Sequence, residues 1–380
     1  MMIVAGEASA DLHGAEVVAE LNKRDPGLKL FGVGGQAMRS HQFEALVPAE
    51  EMSLAGLTEV LLGLPKMFRI MRLLTQLARD RRPDVVMLID LPDFNIRLAK
   101  RLKKLGIPVV YYISPQIWAW RQSRVEQIRR YVDKMLVILP FEKEFYKKHN
   151  VEVEFVGHPL VEELSDAPTQ ALARSELGLT QSSGPIVALL PGSRQKEVSR
   201  HLPIMLEAIG LLRQEEPEAR ALIPVASTIS ESWVHSIVQQ TGVQAEVVDG
   251  KAVEIVSACD AAVVCSGTST LQTALLHKPM VVVYKVSWLT HVILKRLVKV
   301  AHIALVNLIA GKELVTELVQ NAFTPIKLKE ELYEILKDPA KQANLKEGLA
   351  ELRSRLGEGA VAAKVADAIS NYLDTPRNEQ

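Results

Sequence analysis

The 380-residue sequence predicts an α/β protein of two domains built on parallel sheets. Three observations carry this. Short apolar runs end at Gly, Ser or Asp and pass at once into helical patterns. Several of them, including Val85–Ile89, Ile186–Leu190 and Ala261–Cys265, are apolar throughout, as strands buried on both faces are. A polar stretch, SDAPTQ at Ser165–Gln170, separates two halves with the same strand-turn-helix plan. The expected domains are therefore 1–164 and 165–359, with a last helical stretch, 360–380, packing back on the first.

Composition narrows the function. Forty-five basic residues balance forty-five acidic ones, so no global field favours nucleic acid, and anion binding must be local. Cys259 and Cys265 lack CxxC or paired-His spacing, which argues for buried, reduced thiols and against a zinc site. The start, MMIVAGEAS, has no basic region of the kind that opens a signal peptide, and no apolar run reaches the length of a membrane span. A soluble or peripheral protein is expected.

In chain order, Met2–Ala5 reads as a strand, followed by Gly6-Glu7-Ala8-Ser9 and a helix from Ala10 to Leu21. Ser9 can cap that helix, and Glu7, Ser9 and His13 fall at the strand's carboxyl end, where open α/β sheets collect ligands. Gly32–Ala37 matches the GxGxxA form of a dinucleotide loop. With the first strand already placed at Met2, and neither Glu50 nor Glu51 closing a second strand to hold a ribose, it reads as a glycine loop between strand and helix. The stretch LTEVLLGLPKMFRIMRLLTQL, Leu57–Leu77, combines a basic face (Lys66, Arg69, Arg72) with large apolar groups. Leu61, Leu64, Met67, Phe68 and Met71 are its candidate membrane-facing residues; the alternative is an ordinary sheet-covering helix.

The strand Val85–Ile89 delivers Asp90 to the ligand edge of the sheet, where a carboxylate can accept a proton from a substrate hydroxyl. Asp93 competes, although its position better suits capping the next helix. Val109–Ile113 leads into SPQIWAWR, whose tryptophans either bury or pack on a sugar; Met135–Leu139 and Val153–Val156 complete the first sheet. In the second half, Ile186–Leu190 runs into Pro191-Gly192-Ser193-Arg194. Gly192 permits close backbone approach, and Arg194 offers a planar fork to phosphate oxygens, the alternative being a pair with Glu197. Leu222–Val225 and Ala245–Val248 add strands. Ala261–Cys265, Ser266-Gly267-Thr268, a helix over Leu271–Leu276 and the strand Met280–Tyr284 then form a βαβ unit whose turn suits a phosphate or diphosphate. Trp288–Val300 is a second apolar and basic segment suited to a membrane or a partner. A polar turn near Asn307 is expected to lead into a helix through Gln320.

Taken together, GEASADLHG, IDLPDFN, SPQIWAWRQSRV, LPFEKEFY, FVGHPL, LLPGSRQKEV, CSGTSTLQTAL and NLIAGKELVTELVQ resemble the lipid-A-disaccharide synthase family. The resemblance implies a GT-B architecture, two Rossmann-like domains with parallel sheets facing across a cleft. It also implies inverting, metal- and cofactor-independent transfer of 2,3-diacylglucosamine from UDP-2,3-diacylglucosamine to the 6-hydroxyl of 2,3-diacylglucosamine 1-phosphate, an acylated glucosamine 1-phosphate. It places the protein in the cytoplasm, peripheral on the inner-membrane surface of a Gram-negative bacterium, and suggests a homodimer. By the same resemblance Asp90 is the base, Arg194 offsets charge on the departing UDP, Ser266, Gly267 and Thr268 cradle the diphosphate with Gly192 and Ser193 nearby, and Asn307 lies near the nucleotide. Two positions depart from the family pattern: Ala10 replaces a glycine and is expected to narrow the first loop, and Gln272 stands where a glutamate holds the ribose. The competing readings are a UDP-sugar 2-epimerase of the same fold and a non-catalytic UDP-sugar or lipid binder.

Overall fold

The computed structural model describes residues 1–52, 57–288, 290–292 and 300–373, with the side chains of 57–64 left aside. The chain divides into two compact units: Met1–Pro159 with Glu358–Gln380, and Leu160–Gly357. The division falls ahead of the polar SDAPTQ stretch, because the short helix Leu160–Glu163 already belongs to the second unit.

The first unit holds strands β1 (Met2–Ala5), β2 (Phe31–Gly34), β3 (Glu44–Pro48), β4 (Val86–Ile89), β5 (Val109–Tyr112), β6 (Lys134–Val137) and β7 (Val153–Phe155). They form one sheet of order β3-β2-β1-β4-β5-β6-β7, every adjacent pair parallel. Successive residues feed opposite faces, which is why these strands are apolar without alternation. Met2, Val4, Val86, Leu88, Val109 and Tyr111 enter one core with Ile70, Met71, Leu74 and Ala78 of the helix Leu57–Arg81. Ile3, Ala5, Met87, Ile89, Val110 and Tyr112 enter the other, against the helices Ala8–Arg24 and Val361–Leu373. The last helix is further tied down by Arg24, which donates to Asp367 at 2.5 Å and to the Ala363 carbonyl at 3.1 Å.

The second unit carries β8 (Ile186–Leu190), β9 (Arg220–Val225), β10 (Glu246–Asp249), β11 (Ala261–Cys265), β12 (Met280–Tyr284) and β13 (Glu317–Val319) in the parallel order β10-β9-β8-β11-β12-β13. Both sheets are wound outward from a first strand (β1, β8) in both directions. Each therefore has a switch point, between β1 and β4 and between β8 and β11, where the connections diverge and leave a crevice at the strands' carboxyl ends.

Two local expectations change. Gly32-Val33-Gly34 is the strand β2 itself and not a loop. The turn that follows holds no phosphate space, because the Asp11 carboxylate fills it, accepting from the N–H groups of Gly35 (2.6 Å), Ala37 (2.9 Å) and Met38 (3.2 Å). A Cβ on Gly35 would lie 2.4 Å from that carboxylate, so glycine there serves an internal contact. The stretch after Asn307 does not run as a helix to Gln320; it is the helix Leu305–Ala310 followed by β13. β3 and β13, short edge strands that each open on a glutamate, were not foreseen. The Trp288–Val300 segment lies largely outside the described residues; Trp288 itself is exposed.

Candidate active site

In the first unit Ala5 pairs with Ile89, so Glu7 and Asp90 leave β1 and β4 side by side at the switch point. Asp90 and Leu91 both adopt left-handed backbone, each with φ of 47°, which costs a non-glycine residue about 1 kcal/mol or more. The surroundings impose it. The Asp90 carbonyl accepts from Tyr111 Oη at 2.5 Å and from Asn95 Nδ2 at 2.7 Å, and the same amide reaches the Ile89 carbonyl at 3.1 Å. Tyr111 and Asn95 are fully buried, so the turn is clamped from below. Neither was singled out in the sequence; the signal was a pair of tyrosines ending a buried strand and an asparagine on the buried face of a helix.

Burial, and behind it the negative charge of Glu7, raise the Asp90 carboxyl to about 6, while a hydrogen bond from the Leu91 N–H pulls the other way. A base tuned to that range is ionised at neutral pH and still binds a proton well, which suits general-base work. Asp93, on the first turn of the helix Pro92–Lys104, caps nothing; its carboxylate is exposed and paired with Arg124 and, at 3.6 Å, with Arg121. Ser9 does not cap either. The N-cap of its helix is Glu7, without a side-chain bond, and Ser9 sits exposed in the first turn. His13 is half-buried beside His158, and burial lowers both imidazoles, His158 to about 4 with the His13 charge adding to the effect. Ala10 is 1% exposed and packs into the core, so its methyl does not narrow the loop.

In the second unit Val264 pairs with Leu190, placing the turns Pro191–Arg194 and Ser266–Thr268 together at the other switch point. Gly192 has φ of +119°, and a Cβ there would lie 2.6 Å from the Glu197 carboxylate. That carboxylate accepts from the backbone N–H groups of Ser193 (3.2 Å) and Arg194 (3.3 Å) and from Arg194 Nη1 (3.0 Å). The Arg194–Glu197 pair weighed in the sequence is thus present. It sits at a helix N-terminus, and the Arg194 side chain is 80% exposed, free to swing to an anion. Behind the turn, buried His201 donates from Nδ1 to the Pro191 carbonyl at 2.8 Å, which leaves Nε2 to accept the Lys285 N–H at 2.9 Å. Thr228 Oγ1 donates to the Ser193 carbonyl at 2.6 Å. These two supports were not foreseen; a histidine within a helix and a threonine in a polar turn carry no motif.

Gly267 and Thr268 are exposed at the start of the helix Thr268–Leu275, and Gln272 is half-buried one turn further in. Ser266 Oγ donates to the Ile303 carbonyl at 2.9 Å. Asn307 is not a surface contact. It is fully buried, its amide donating to the Val315 carbonyl and Glu317 Oε1, both at 2.8 Å, while its oxygen accepts from Leu314 (2.8 Å) and Val315 (2.9 Å). Glu317 in turn accepts from the Ile303 and Ala304 N–H groups, so Asn307 acts through the segment that receives Ser266.

On the helix Leu57–Arg81 the apolar residues divide. Met71 is 5% exposed and belongs to the core with Ile70 and Leu74, which removes it from any outer face. Phe68, at 52%, and Leu73 are exposed, and Met67 is half-buried; the side chains of Leu61 and Leu64 lie outside the described residues. Among the described residues no group of three or more His, Cys, Asp or Glu lies together as a metal site, and no helix is long and apolar enough to cross a membrane.

The fold is shared with solved structures. The UDP-GlcNAc 2-epimerase of Neisseria meningitidis, bound to UDP-GlcNAc, superposes with a TM-score of 0.67 at 13% identity, covering 97% of this chain and 99% of that one. The glycotransferase of kitacinnamycin gives 0.64 at 15%, covering 98% of each. In sequence, the lipid-A-disaccharide synthase of Anaeromyxobacter sp. (strain K) is 48% identical over 374 residues, 98% of this chain and 97% of that protein. A family model described as lipid-A-disaccharide synthetase matches residues 1–369. The chain belongs to the lipid-A-disaccharide synthetase family.

Proposed function

We propose that the chain is an inverting glycosyltransferase that moves 2,3-diacylglucosamine from UDP-2,3-diacylglucosamine to the 6-hydroxyl of 2,3-diacylglucosamine 1-phosphate, releasing UDP. Asp90 takes the hydroxyl proton as the oxygen attacks the anomeric carbon from the face opposite UDP. The bond from that carbon to the diphosphate breaks, and its electron pair leaves with UDP. Arg194 turns from Glu197 to offset the charge growing on the leaving group, the kind of stabilisation that acts where charge develops. The N–H groups around Ser266–Thr268 hold the diphosphate, Gln272 accepts from the ribose hydroxyls, and Glu7, Ser9 and His13 line the acceptor side. The observation that carries the reading is Asp90: a carboxylate at a switch point, on a strained and clamped turn, raised toward neutrality.

The purified protein, given both sugars, should release UDP and disaccharide in equal amounts. Turnover of UDP-N-acetylglucosamine to its 2-epimer without disaccharide would replace this reading with an epimerase. The same reading puts the protein at the cytoplasmic face of the inner membrane through Phe68, Leu73 and the basic groups Lys66, Arg69 and Arg72 beside them. It also includes a homodimer, which sedimentation analysis decides.

A further inference from the structure

The loop after β5 carries a pair of features that glycosyl transfer itself does not use. Its two tryptophans part company. Trp118 is buried, with Nε1 donating to Glu142 Oε1 at 3.1 Å, and so anchors the loop. Trp120 is 44% exposed, and the Arg121 guanidinium lies over its ring at 4.1 Å from the centroid. Arg124 follows a few residues on, and both arginines share one carboxylate, Asp93. Two guanidinium groups against one exposed carboxylate leave a positive charge in surplus. The position matters as much as the charge. β5 is the sheet neighbour of β4, and Asp90, Asp93 and Arg124 all act electrostatically on the Tyr111 hydroxyl that clamps the Asp90 carbonyl.

We infer that Arg121 and Arg124 form a clamp for a phosphate monoester on the acceptor sugar, with Trp120 as the flat surface on which the sugar ring lies. Guanidinium forks match phosphate oxygens bidentately, and a dianion out-competes the single carboxylate of Asp93 for two of them. The stacked Arg121 is held open toward solvent by the indole face, so less freedom is lost when it binds. The proposal rests on the glycosyl-transfer reading and adds to it what selects the acceptor: a sugar 1-phosphate is preferred to the same sugar without phosphate.

The test compares acylated glucosamine 1-phosphate with its dephosphorylated form as acceptors, for the wild type and for Arg121→Gln, Arg124→Gln and Arg124→Lys. The wild type should favour the phosphorylated acceptor in kcat/KM. Each Gln variant should lower that preference about 10- to 100-fold, the worth of a charge-assisted hydrogen bond. The loss should fall on KM for the phosphorylated acceptor, with the rate on the dephosphorylated one and the affinity for UDP unchanged. Arg124→Lys, which keeps charge but not the fork, should recover part of it. A preference equal in wild type and variants overturns the clamp. If Arg124→Gln fails to fold because Asp93 loses its partner, Arg121→Gln decides alone. The two readings fail separately. If the wild type makes no disaccharide, glycosyl transfer falls; the clamp then stands only if glucosamine 1-phosphate, and not glucosamine, shifts the Trp120 indole resonance in the wild type but not in Arg121→Gln.

Discussion

Removing the charge of Glu7 should move the acid limb of the pH profile to lower pH without abolishing activity. Asp90 is raised from the ordinary 3.8 to about 6, first by burial and then by Glu7. Only the ionised form can take the acceptor proton, so rate is present above the folded pKa and lost as pH falls through it. With a pKa of about 6, roughly nine tenths of the sites are ionised at pH 7 and about one tenth at pH 5. The wild-type kcat/KM should therefore fall about tenfold across those two units. In Glu7→Gln the like-charge contribution disappears and the limb shifts downward, but burial, the larger cause, remains, so it stays above the range of a free aspartate. The assay is UDP release at saturating donor between pH 4.5 and pH 8.5, with stability checked at each end. An unmoved limb would show that the Glu7 charge does not reach Asp90. A wild-type profile flat down to pH 5 would remove Asp90 as the base.

Other outcomes follow from the same geometry. A carboxyl raised on folding favours the folded state below its ordinary pKa and loses that advantage as pH rises through about 6, so Asp90→Asn should stabilise the protein at pH 8 by about 1–3 kcal/mol, have little effect at pH 4, and abolish transfer; equal denaturation midpoints for the two proteins at pH 8 would contradict this. Asn307→Ala removes an amide that makes four buried hydrogen bonds, and urea unfolding should show a loss of about 3 kcal/mol; a loss under about 1 kcal/mol would mean that its ring of partners rearranges freely. Gln272→Glu should tighten UDP binding, since a charged acceptor makes the stronger bond to a ribose hydroxyl; calorimetry showing an unchanged dissociation constant would sink that assignment. Phe68→Ser combined with Leu73→Ser should release the protein from anionic liposomes while leaving turnover of a water-soluble acceptor intact, and retention on the liposomes would move the contact elsewhere.

The strands flanking both switch points were legible because they are buried on both faces and so carry uninterrupted apolar runs. Asp90, Arg194 and Ser266–Thr268 were legible for the same reason: each stands where such a run stops. β3 and β13 were not, since as edge strands they bear mixed residues such as Glu44 and Glu317. Asn307 misled because Asn307–Glu313 reads as a polar turn, whereas its four hydrogen bonds go to Leu314, Val315 and Glu317, whose return beside it only the fold reveals. Met71 misled through helical phase. The basic residues of Leu57–Arg81 mark its outer face, but only the packing against Val86 and Leu88 shows which apolar neighbours turn inward. The glycine turn is the converse, a motif match that the strand order already argued against. GxGxxA spacing describes a space for an anion, and here the protein fills that space itself.

The most direct test of the account is the product formed from UDP-2,3-diacylglucosamine and 2,3-diacylglucosamine 1-phosphate, with the new linkage assigned by NMR and the same reaction run with Asp90→Asn. The account predicts a β-1,6-linked disaccharide from the wild type, and none from Asp90→Asn although that variant still binds UDP. An α-linked product, or a disaccharide formed at the wild-type rate by Asp90→Asn, would contradict it.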